Sequence, residues 1–130
     1  MEDFVISIEM YLKNNFYSKR LLALNDNNEI VLNNKDIFEA KIAQLLEKKI
    51  YFSLFTYHYD ADADIGTYNI QKIVREYDNI FINKRKNEIN FLILNTVPDF
   101  GKELIQKRIQ NFSINLEIKS VQSAFDLVFD

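Results

Sequence analysis

The chain holds no cysteine. That excludes thiolate nucleophiles, thiolate metal sites and disulfides, and it favours a reducing compartment. Tryptophan is absent, and histidine occurs once, at His58. A Ser–His–Asp relay would have to use that imidazole, and no Gly-x-Ser-x-Gly turn is present to hold its serine. With two glycines and one proline, phosphate-cradling loops cannot be built from Gly66 and Gly101 alone. No apolar run approaches the ~18–20 residues needed to span a bilayer. Positive charge is also short: 16 Lys and Arg stand against 19 Asp and Glu, for a net charge of −3. That balance opposes general nucleic-acid binding, which depends on cations at phosphates. The start, Met1-Glu2-Asp3, lacks the basic residues and apolar run of a secretory signal, so the expected location is cytoplasmic.

What is present suits a globular domain. The 130 residues are 48% hydrophobic, enough for one core, so residues 1–130 are expected to form a single domain. Asparagine is plentiful and is expected to fill turns that glycine usually fills, because it tolerates positive φ.

Phe4, Val5, Ile8, Tyr11 and Leu12 share one helical face, which predicts a helix over 3–14, although Phe4, Ile6, Ile8 and Met10 also alternate as in a strand. Leu21–Leu24 and Glu29–Leu32 flank Asn25-Asp26-Asn27-Asn28, which predicts a hairpin. Asn34 or Asp36 can cap a helix over 36–48 whose core stripe is Phe38, Ile42, Leu45 and Leu46. Ile50–Tyr59 is aromatic and β-branched without a breaker, which predicts a strand. Ile70, Ile73, Val74 and Tyr77 recur at helical spacing and predict a helix over 67–78. Asn79–Asn83 and Glu88–Asn95 flank Lys84-Arg85-Lys86-Asn87, a second hairpin. Pro98 and Asp99 open a helix over 100–111. Ser113–Lys119 alternates as a strand, with Ile114, Leu116 and Ile118 on one face. A terminal helix is expected over 120–128, with Val121, Ala124, Phe125 and Val128 on its apolar side. The fold class is therefore α+β: a mixed sheet of about five or six strands packed by four or five helices.

The most unusual segment is Asp60-Ala61-Asp62-Ala63-Asp64-Ile65-Gly66-Thr67. Alternate carboxylates suit a hard cation, so Asp60, Asp62 and Asp64 are candidate ligands for Mg²⁺ or Ca²⁺, although no cofactor is the leading expectation. The first half of the loop is similar to an EF-hand calcium loop, but Ile65 stands where that loop has glycine and Gln71 where it has a bidentate glutamate. Asp60, Asp62 and Asp64 also resemble the Asp-x-Asp-x-Asp stretch of the topoisomerase–primase (Toprim) fold, whose upstream strand–Glu–Gly element is missing here. The competing reading is structural: Asp64 and Thr67 are good helix caps, and acids before a helix are stabilising. Pro98-Asp99 with Glu117-Ile118-Lys119 matches the spacing of the PD-ExK nuclease motif, yet alternation makes Glu117 and Lys119 a solvent face. His58 is either a base beside the acidic loop or a half-buried strand position. Lys84-Arg85-Lys86 reads as a charged turn.

Tyr51, Phe55, Tyr57 and Tyr59 fall on one face of the aromatic strand, with Phe52, Leu54 and His58 on the other. Either helices cover both faces, or an aromatic face meets a partner. With so few reactive side chains, a non-enzymatic protein-binding module is the preferred expectation. In that reading Asp60, Asp62 and Asp64, with Tyr57 and Tyr59, dock on a basic surface, as in a bacterial immunity or antitoxin-type inhibitor. The alternatives are a metal-dependent, nuclease-like phosphoryl-transfer enzyme built on Asp60, Asp62 and Asp64, and a subunit that self-associates through an edge strand or aromatic face.

Overall fold

In the computed structural model the structure describes residues 29–32, 34–62, 70–110 and 115–129. The expected helix over 3–14, the strand 21–24 and the turn 25–28 lie outside them.

Five strands form one sheet in the order β1-β3-β4-β2-β5. They are β1 (Val31–Leu32), β2 (Phe52–Tyr59), β3 (Asn79–Asn83), β4 (Glu88–Leu94) and β5 (Leu116–Ser123). β1 runs parallel to β3, with Val31 opposite Ile80. The other pairings are antiparallel. Three α-helices lie among the described residues: α1 (Lys35–Glu47), α2 (Pro98–Ile109) and α3 (Ala124–Phe129). The fold is thus α+β, with a mixed sheet.

Local chemistry sets the boundaries. Asn34 caps α1: its Oδ1 accepts the Asp36 N–H at 2.7 Å. Lys49, at φ 57°, turns the chain out of α1, while Ile50 N–H bonds back to Leu45 O at 2.9 Å. Asn87 (φ 54°) closes the β3–β4 hairpin and Asn95 (φ 51°) ends β4, so asparagine does the work of glycine at both turns. Pro98 opens α2, where its missing N–H costs nothing.

Two expectations are corrected. The Ile70–Tyr77 stripe does not continue as a helix: the described part is a 3-10 turn, Ile70–Ile73, followed by a turn. Ile70, Ile73 and Val74 still enter the core, but Asp78 accepts the Arg75 backbone N–H at 3.0 Å, and that local bond competes with helical pairing. The terminal helix starts at Ala124, not at residue 120, because strand β5 runs on through Val121 to Ser123. A reciprocal cap sets the boundary. Ser123 N–H donates to Asp126 Oδ2 at 2.8 Å, and Asp126 N–H to Ser123 Oγ at 3.4 Å.

Both faces of the sheet are covered over most of their area. On one, Phe55, Tyr57, Tyr59, Ile80, Phe91 and Ile93 pack with Ile73 and with Ile105 of α2. On the other, Phe52, Phe81, Leu92 and Leu94 pack with Phe38 and Leu45 of α1 and Ala124 of α3. The aromatic density of β2 follows from this: the strand lies between β4 and β5 and is buried on both sides. We refer to these as the Phe55 face and the Phe52 face. The ends of the sheet are the Phe52 end, with Leu94 and Ser123, and the Tyr59 end, with Glu88 and Leu116.

No described helix is long and apolar enough to cross a membrane.

Candidate functional site

The apolar cover of the Phe52 face stops halfway along the strands. Towards the Tyr59 end, register places Thr56 between Asn90 and Ser120, and His58 between Glu88 and Glu117. This half-face is a polar platform on three adjacent strands. Thr56 and Glu88 are buried, while His58, Glu117, Lys119 and Ser120 are exposed.

Hydrogen bonds fix the platform. Thr56 Oγ1 donates to Asn90 Oδ1 at 2.8 Å, and Asn90 Nδ2 donates to Phe81 O at 3.2 Å. Lys119 Nζ reaches Glu88 Oε1 at 2.8 Å. A break in register between Thr56 and Tyr57 makes this reach natural, because Thr56 pairs with Ser120 and Tyr57 with Ile118. Lys119 is the extra residue of a β-bulge, and bulges re-aim side chains. The pair bridges β5 and β4 across β2. Glu88 is 10% exposed at its side chain and Lys119 59%, so the lysine supplies the counter-charge that a buried carboxylate requires.

The acidic loop continues from this platform. Asp60 and Asp62 follow β2 directly and are exposed. Neither makes an ion pair with another described residue. Asp64, Ile65 and the capping position Thr67 lie outside the described residues. Among the described residues no group of three or more His, Asp and Glu side chains is placed to hold a metal ion. Lys84, Arg85 and Lys86 are exposed at the same end, where Tyr59 N–H bonds Asn87 O at 3.0 Å. The Tyr59 end therefore carries acids beyond β2 and on β5, and bases on the β3–β4 tip.

Tyr57 and Tyr59 are placed in the core, at 2% and 5% exposure. Burial raises the pKa of both hydroxyls. Tyr57 packs edge-on against Phe91, with centroids 5.6 Å apart, and its Oη is buried with no hydrogen-bond partner among the described residues. An unsatisfied hydroxyl costs about 1–3 kcal/mol. Tyr57→Phe is therefore expected to stabilise the fold by about 1 kcal/mol in a urea titration. The same variant should resist alkali better. Because the folded-state pKa is raised, the neutral hydroxyl's contribution is complete below the unfolded value of about 10 and is lost as pH rises through the folded one.

The PD-ExK spacing does not assemble. Asp99 follows Leu94 and Pro98 at the Phe52 end, whereas Glu117 is paired with His58. The helix that carries Asp99 packs on the Phe55 face through Gly101 and Ile105, whereas Glu117 lies on the Phe52 face, so the sheet stands between them. Lys119 is already engaged by Glu88.

Sequence reading singled out His58, Glu117 and Lys119 but passed over Glu88, Asn90 and Thr56. The available signal was alternation: Glu88 and Asn90 interleave with buried Ile89 and Phe91.

No family model matches the chain, and no curated protein or solved structure matches it.

Proposed function

We propose that the protein is a non-enzymatic binding module whose Tyr59 end presents carboxylates to a basic surface on another protein. One observation carries this reading. Asp60 and Asp62 are exposed immediately beyond β2, a strand paired on both edges inside the sheet, beside exposed Glu117. A strand paired on both edges, with Tyr57 and Tyr59 buried at its end, holds its outgoing loop at little entropic cost, and preorganised charge improves both association rate and specificity. The open sheet surface around His58 adds a flat, polar area suited to a macromolecule.

Within that class an inhibitor or antidote of the immunity or antitoxin type fits best, with the acids covering a basic active site. Affinity capture from the native cell followed by mass spectrometry would identify the partner. Changing Asp60, Asp62 and Asp64 together to lysine is expected to weaken the complex at least about a hundredfold, since like charges facing each other cost several kcal/mol. Unchanged affinity for that partner would reject the acidic-end reading.

A further inference from the structure

β5 stands at one limit of the sheet order, and β2 is its only neighbour among the described residues. Glu117, Ile118, Lys119 and Ser120 are exposed in succession, so both faces of this stretch are open. Ile118 is 38% exposed. An edge strand carries backbone donors and acceptors that another strand can satisfy.

The bulge gives this edge an unusual symmetry. Leu116, Ile118, Val121 and Ser123 pair with Tyr59, Tyr57, Phe55 and Ser53, and so belong to the Phe55 face. Glu117, Ser120 and Gln122 pair with His58, Thr56 and Leu54 on the Phe52 face. Lys119 lies on that face too, since it meets Glu88. Read outward from the Lys119–Ser120 peptide, the face pattern is its own mirror image. A regular strand cannot be symmetric about a peptide bond, because adjacent residues point to opposite faces. Opposed residues in an antiparallel pair must share a face. A two-fold axis centred on Ile118 would set Leu116 against Ser120 across faces, so the bulge selects the Lys119–Ser120 centre.

We infer that β5 pairs antiparallel with β5 of a second copy of this chain, about a two-fold axis at the Lys119–Ser120 peptide. In that register Ile118 meets the second copy's Val121, and the ladder stops short of Ser123, whose N–H is already held by Asp126 Oδ2. Glu117 meets Gln122, and Lys119 meets Ser120. No like charges stand directly opposite, and the exposed Ile118 gains an apolar partner on each side of the axis. Pairing about a two-fold axis uses the same edge of both copies, so the assembly closes at two. Asp60 and Asp62 take no part in this pairing, and Glu117 alone borders both surfaces, so the inference does not rest on the proposed function.

Sedimentation from low to high micromolar protein tests it. The expected result is a dimer that dissociates on dilution; a monomer throughout would overturn the inference. Ile118→Lys should raise the dimer dissociation constant about tenfold, because two symmetry-related pairs are lost at once. Circular dichroism would confirm that this variant keeps its fold. The absence of native cysteine allows a second check. Ile118→Cys combined with Val121→Cys should give a covalent dimer on mild oxidation. A dimer that ignores Ile118→Lys, or that fails to cross-link through this cysteine pair, would place the interface elsewhere and overturn the assignment.

Discussion

Replacing Asp78 by alanine is expected to cost about 3 kcal/mol of stability, lowering the urea midpoint sharply. The carboxylate is fully buried and ties segments distant in sequence. Its Oδ2 accepts Arg75 Nε at 2.8 Å, and its Oδ1 accepts the Leu94 backbone N–H at 2.9 Å. Arg75 Nη2 in turn donates to Leu94 O at 2.6 Å and to Thr96 Oγ1 at 3.0 Å. Removing the carboxylate orphans a buried N–H and leaves the guanidinium without its counter-charge. Arg75 keeps 29% side-chain exposure, so water relieves part of the loss, and the lower part of the range for a broken buried pair applies. Asp78→Asn preserves shape and an acceptor for Leu94, so it should lose roughly half as much. Equal loss in both variants would show that charge, not hydrogen bonding, carries the contribution.

Gly101→Ala should destabilise by about 1–3 kcal/mol, although helix propensity alone forecasts a gain of about 1 kcal/mol. Gly101 lies within α2, and a Cβ placed there would fall 2.5 Å from Phe55 Cζ and 2.7 Å from Cε2. Phe55 is fully buried in β2 and has nowhere to swing, so the helix must lift from the sheet. That movement would also strain Arg108, whose Nη1 donates to Ile73 O at 2.8 Å. A thermal melt decides the sign. A raised midpoint would mean that α2 shifts freely, contradicting the close approach of helix and strand.

These two positions show how much of the molecule its amino acids reveal in isolation. Local signals read correctly: the Asn34 cap, the breaker-free β2, the β3–β4 hairpin around Lys84–Asn87, and Pro98 at the start of α2. Each is decided by residues within a few positions of one another. Periodicity misleads where a short-range hydrogen bond outcompetes it. The stripe at Ile70, Ile73, Val74 and Tyr77 has helical spacing, yet Asp78 turns the chain and binds Leu94 instead. The capping pair Ser123 and Asp126 was legible as Ser-x-x-Asp but was overridden by the apolar period through Val121. Strand register is the least local property of all. The neighbours of His58 are Glu88, thirty positions ahead, and Glu117, far beyond that. The platform could not be assembled from the sequence because β2 joins strands that are remote along the chain.

The decisive measurement is the association rate of the captured partner with the native chain and with the triple lysine variant, at low and high salt. Steering by Asp60, Asp62 and Asp64 predicts fast association that slows steeply as ionic strength rises, and a variant that is slow at low salt. Indistinguishable rates for the two proteins at low salt would contradict the account.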